Sequence, residues 1–276
     1  MNFDTSGGGF SLPPAGTVFA LRQTVLSFTH TANTIDINAD TAANNGGATL
    51  TYVNSAAPPL LTVQLKVPGL GIDVQANVNS LAGATLPNGN LLFVRYQGRA
   101  GFEYTATGIW AVTNAAGTQA LETGYFVTGF HTPVANMQTV GTATYSGTGS
   151  VVGNAFIQGS PVSSKRIDLA GDGQITVNFA TGGMSGAFSN MTATQDATVL
   201  PWNSLSLTGS ISGASFAGTT AITGSPGNAT AFTGTGSGTF SGDFFSAHAT
   251  ELGLVWSVRD SNGSAAAGTF AGARPQ

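Results

Sequence analysis

Gly129-Phe-His-Thr-Pro133-Val-Ala-Asn-Met-Gln-Thr-Val-Gly141-Thr-Ala-Thr-Tyr145-Ser-Gly147 is the stretch that organises this chain. It reads as a short linker running into a Gly- and Thr-rich strand. Upstream of it the strands are irregular and rich in aromatic residues. Downstream, short alternating strands recur between Gly-containing turns. The stretch is therefore read as a boundary.

Composition supports an all-β reading on both sides. Only 7% of the 276 residues are charged, against about 25% in an average soluble domain. Gly occurs 39 times, about twice its usual share. Glu, Lys, Arg, Leu and Gln, which long helices need, are scarce. Low charge together with few apolar residues would mean disorder, but 41% of residues are hydrophobic and Phe occurs 17 times. A folded sandwich or barrel fits. A net charge of −4 offers no basic field for nucleic acid. Cysteine is absent, which excludes disulfides, thiolate metal sites and cysteine nucleophiles. No apolar run approaches the ~18 residues of a membrane-spanning helix. Residues 1–17 are a Gly- and Pro-rich lead with no basic n-region and no apolar h-region.

Between residues 18 and 135 the signals are short and β-like. Leu61, Val63, Leu65 and Val67 alternate with Thr62, Gln64 and Lys66. Leu91-Leu-Phe-Val-Arg-Tyr96 is apolar on both faces until Arg95 and reads as a buried strand, preceded by an Asn88-Gly89 turn. Ala115-Ala-Gly117 separates two aromatic strands. Between residues 136 and 276, Ile175-Thr-Val-Asn-Phe179 and Leu205-Ser-Leu-Thr-Gly-Ser-Ile211 alternate strictly, Gly209 replacing an apolar residue. Asp168-Leu-Ala-Gly-Asp172-Gly173 imitates part of a calcium loop. However, Ala170 and Phe179 stand where ligands belong, so it reads as a solvated turn. The regular spacing predicts an up-and-down antiparallel barrel curved by its glycines. No nucleophile elbow, phosphate-binding loop or paired-carboxylate pattern appears, and the chain is read as a non-enzyme.

Four segments resemble the transferrin-binding protein B-like surface proteins of Gram-negative bacteria, in that family's order. They are Tyr104-Thr-Ala-Thr-Gly-Ile-Trp110, the Gly129–Gly147 junction, Ile175 to Gly186, and Phe240-Ser-Gly-Asp-Phe-Phe-Ser-Ala-His-Ala-Thr-Glu-Leu-Gly253 running on to Gly268–Arg274. Ser246-Ala247 departs from the Gly-Pro usual in the last of these. The resemblance implies a β-rich handle over 18–135 and a soluble eight-stranded β-barrel over 136–276. It implies display on the outer membrane or secretion, export by the family's outer-membrane translocon, and a lipid anchor upstream of Met1. It also implies capture of haem or a host iron-carrying protein, with surface adhesion or immune-factor binding as the alternative.

Candidate ligand-contacting residues follow from the handle. Tyr96, Tyr104, Tyr125 and Phe126 belong to its aromatic cluster, and Tyr and Trp often anchor interfaces; Trp110 reads as core. The family has a haem-binding branch, so His30 beside Phe28 is the candidate axial haem ligand, with His131 second. His248 falls in a turn.

Overall fold

The computed structural model describes residues 15–30, 35–41, 48–54, 62–68, 71–77, 82–97, 102–158 and 166–275. Among these residues ten strands precede the linker: β1 (Val18–Ala20), β2 (Arg22–His30), β3 (Ile35–Thr41), β4 (Thr49–Asn54), β5 (Thr62–Val67), β6 (Ile72–Asn77), β7 (Ala82–Thr85), β8 (Leu91–Gln97), β9 (Thr105–Thr113) and β10 (Ala120–Gly129). Nine follow it: β11 (Thr142–Phe156), β12 (Ile167–Asn178), β13 (Gly183–Gln195), β14 (Thr198–Pro201), β15 (Ser204–Ser212), β16 (Ser215–Gly224), β17 (Gly236–Phe245), β18 (Glu251–Asp260) and β19 (Ala265–Ala273). Among the described residues no helix is long and apolar enough to cross a membrane.

The early strands form two antiparallel sheets, one of order β1-β4-β5-β6 and one of order β3-β2-β10-β9-β8-β7. Their facing sides bury Leu50, Val63 and Leu65 against Leu92, Trp110 and Phe126. Two glycines make room for the large rings. A side chain at Gly108 would overlap Phe126, and one at Gly124 would overlap Trp110. Trp110 is fully buried, and its indole N–H donates to Gln23 at 3.4 Å.

The later strands close on themselves. In the order β12-β11-β19-β18-β17-β16-β15-β13, each is paired with the next and β13 returns to β12. β14 is an extra strand on β13. The result is the expected eight-stranded antiparallel barrel. Its interior is filled by Tyr145, Ile175, Phe188, Phe240, Trp256 and Phe270, among others, as a barrel of this size requires.

One expectation fails. Gly171-Asp-Gly173 is not a turn: β12 runs straight through it, with only a register shift between Ala170 and Asp172. The glycines face the barrel interior, where a side chain at 171 would strike Met191 and one at 173 would strike Phe270. They are there for packing space. Asp172 lies outside, held well below the usual carboxylate range by hydrogen bonds from the Asn190 amide and then the Gly149 N–H.

The six-stranded sheet turns its second face to the barrel wall. Leu26, Phe28 and Tyr125 meet Ala265 and Ala267 of β19, while Val127 and Tyr104 meet Phe245 and Val255. Small residues permit this approach: a side chain at Gly253 would press on Val127 and Thr105. β2 and β10 are thus covered on both faces. At β8 the wall no longer covers the sheet. Leu92 and Val94 are buried, but Leu91 and Phe93 are half-buried and Arg95 is exposed. The expectation of a strand buried on both faces therefore holds for only one face of β8.

Candidate functional site

Where sheet and barrel part, they leave an open cleft of about 690 Å³. The sheet side is built by alternate residues of adjacent strands, since side chains two apart share a face: Phe93 and Arg95 of β8, Ile109, Ala111 and Thr113 of β9, and Tyr125 of β10. The barrel side is Val152, Asn154 and Phe156 of β11 with Arg166 just before β12 and Asp168 within it. Phe28 of β2 closes the inner end, its ring 4.5 Å from that of Phe156.

A polar chain crosses the floor. The Tyr125 hydroxyl donates to Asn154 Oδ1. Asn154 Nδ2 donates to Asp168 Oδ1 at 2.5 Å, and Arg166 Nε donates to the same oxygen at 2.9 Å. Burial pushes the Tyr125 phenol up from its ordinary value, Arg166 opposing and Asp168 adding to the effect. This hydroxyl is therefore a fixed donor at neutral pH.

Of the predicted residues, Phe28, His30 and Tyr125 meet at this cleft. His30 ends β2 there, its Nε2 on the Ala120 carbonyl. That contact requires Nε2–H to be the donor. Nδ1 is buried and has no hydrogen-bond partner among the described residues. The ring thus shows no open nitrogen to an axial position, and the described residues do not fit histidine-ligated haem at this point.

The others lie elsewhere. Phe126 points the opposite way from Tyr125 and is wholly buried between the two sheets, so the reading of it as a ligand contact is corrected. Tyr104 packs into the junction with Val127, Phe245 and Val255. His131 bridges to Phe245 outside the cleft, with Nδ1 3.9 Å from Asp243. His248 sits exposed in the β17–β18 turn, where its carbonyl accepts from Arg274. The side chain of Tyr96 lies outside the described ones. No cluster of three His, Cys, Asp or Glu capable of holding a metal occurs among the described residues.

Sequence reasoning missed Arg95, Ile109, Phe156, Asn154 and Arg166. Arg95 had left a trace, as the charge that interrupts an apolar run. The barrel residues had left none, because sequence spacing does not say which strand of a barrel faces the handle-like sheets.

Residues 137–274 match the family model for the C-lobe and N-lobe β-barrels of transferrin-binding protein B. Among solved structures, a mutant of transferrin-binding protein B from Haemophilus parasuis Hp5 is 14% identical with TM-score 0.47, over 93% of this chain and 45% of that one. Intact Ap-TbpB, with N and C lobes, is 13% identical with TM-score 0.48, over 91% of this chain and 61% of that one. The isotype 1 protein of serogroup B Neisseria meningitidis is 16% identical with TM-score 0.43, over 90% and 58%. The chain thus spans between 45% and 61% of these proteins' length. No curated protein matches it.

Proposed function

The chain belongs to the family defined by the barrels of transferrin-binding protein B, and from that premise we propose a non-enzymatic binding protein that captures a host iron-carrying protein. In this reading it stands on, or is released from, the surface of a Gram-negative cell after export by the family's outer-membrane translocon. The observation that carries the reading is the family barrel spanning residues 137–274. The barrel packs against one of two antiparallel sheets that face each other across a common core. Immobilised protein incubated with plasma should retain transferrin or another iron protein. An eluate without any iron protein would favour the adhesion or immune-factor alternative.

Haem held without a histidine ligand is the second reading, favoured by a cleft of about 690 Å³ lined by Phe28, Phe93, Tyr125 and Phe156. Hemin titration should then shift the Soret band. Because both His30 nitrogens are engaged or buried, His30→Ala should leave that shift in place.

A further inference from the structure

We propose that the cleft between sheet and barrel binds an apolar molecule carrying a terminal carboxylate. This goes beyond the iron-carrier reading and needs no metal.

The body of the ligand is defined by the walls. Phe93, Ile109, Ala111, Val152 and Phe156 line the cleft and each keeps part of its surface exposed. Side chains of this kind normally sit inside a core. A cleft of about 690 Å³ lies within the range of small-molecule sites, which are mostly apolar with few, placed polar groups.

The carboxylate follows from the donors. The chain has only 8 Lys and Arg and a net charge of −4, yet Arg95 and Arg166 both line this cleft. Among the described residues no carboxylate pairs with Arg95. Arg166 gives only its Nε to Asp168, which leaves its two η nitrogens without an acceptor there. At the floor, Asn154 Oδ1 is engaged by Tyr125 and Asp168 Oδ1 by two donors, while Asp168 Oδ2 stays open beside Arg166. Arg95, on the opposite wall beside Phe93 and Ile109, is thus the cation of the cleft without a carboxylate partner among the described residues. A planar carboxylate accepts two parallel N–H groups from one guanidinium, so it is the anion that Arg95 suits best. Either a long acyl chain or a metal-free porphyrin carries this chemistry.

The test is a fluorescence titration of the full chain with two probes, a sixteen-carbon fatty acid analogue and metal-free protoporphyrin, each also as its methyl ester. At least one acid should bind saturably, and its ester about tenfold more weakly. The better acid identifies the source. Arg95→Gln should weaken the acid about tenfold and leave the ester unchanged. Ala111→Trp, at a half-buried wall position, should abolish both while the circular dichroism spectrum stays that of the parent. Failure of both acids to bind, or binding that survives Ala111→Trp, would overturn the assignment. Retention of a plasma iron protein bears on neither outcome, so the two readings fail separately.

Discussion

Arg22 of β2 grips Asp243 of β17 with both ends of its guanidinium, Nε to one carboxylate oxygen at 2.8 Å and Nη2 to the other at 3.0 Å. The two residues lie 221 positions apart, on opposite sides of the junction between sheet and barrel. Ser215 adds a donor to Asp243 at 2.6 Å and itself accepts from Arg22. The carboxylate is almost completely buried, whereas Arg22 keeps 23% of its surface.

Asp243→Asn should therefore destabilise the protein by ~2 kcal/mol. A buried pair is costly to break from one side, here reduced by the solvent that Arg22 still sees. In denaturant melts the double variant Arg22→Met, Asp243→Leu should recover most of the loss. A double variant as weak as the single one would show that the pair does not act as a unit.

Gly253 faces the handle-like sheet across the tightest part of the junction. Gly253→Val should force β18 away from Val127 and Thr105, at a cost of about 1–3 kcal/mol for overpacking. Limited proteolysis should then cut the chain faster within residues 18–129 than within the barrel. Equal acceleration on both sides would count against a local effect.

Glu251 is buried, and its carboxylate oxygens accept the backbone N–H groups of Glu103 and Tyr104 at 2.7 and 3.0 Å. Gln at this position keeps one acceptor and turns an amide N–H₂ toward the other donor. Glu251→Gln should cost roughly 1–3 kcal/mol. It should speed hydrogen exchange at those two amides first, and uniform acceleration across β9 would refute the local account.

Tyr145 gives an alkaline signature. Its hydroxyl donates to the Ala249 carbonyl at 2.7 Å inside the barrel. Burial pushes its pKa up to about 12, with Arg274 acting the other way. The unfolded phenol titrates near ~10, so the folded state holds a proton that the unfolded state releases. This contribution to stability is complete below about pH 10 and is lost as pH rises toward 12. Urea melts between those pH values should show the decline, and Tyr145→Phe should flatten it. An unchanged slope in the variant would place its origin elsewhere.

Barrel strands β12, β13, β15 and β16 were legible because each has one filled face and one wetter face. Ile175, Val177 and Phe179 point inward at every second position. Gly209 replaces an apolar residue in that pattern because the Phe240 ring occupies its place. The resemblance expects Gly at position 246, and the structure supplies the reason. Ser246 has φ +80°, where glycine is favoured; its hydroxyl offsets the strain by accepting from the N–H groups of His248 and Thr250.

The handle-like region was harder to read because β2 and β10 of its six-stranded sheet are covered on both faces, which erases alternation. Tyr125 and Phe126 are neighbours of similar chemistry on opposite faces. One reaches the cleft and the other does not, and nothing local in the sequence separates them. Asp172 misled in the opposite direction. Two glycines beside an aspartate imitate a turn whenever the rings that need the space, here Phe270 among them, come from distant strands.

Barrel closure pairs its first strand with its last: Val152 lies opposite Thr269, and Ala155 opposite Ala266. The same last strand supplies Ala265 and Ala267, on which Leu26, Phe28 and Tyr125 rest. Neither the closed barrel nor its full contact with the six-stranded sheet exists without β19, a strand of 9 residues. Removing it would unpair one edge of β11 and take away the alanines under Leu26, Phe28 and Tyr125. One short strand thus acts as both latch and bracket: what closes the barrel also fastens the sheet to it.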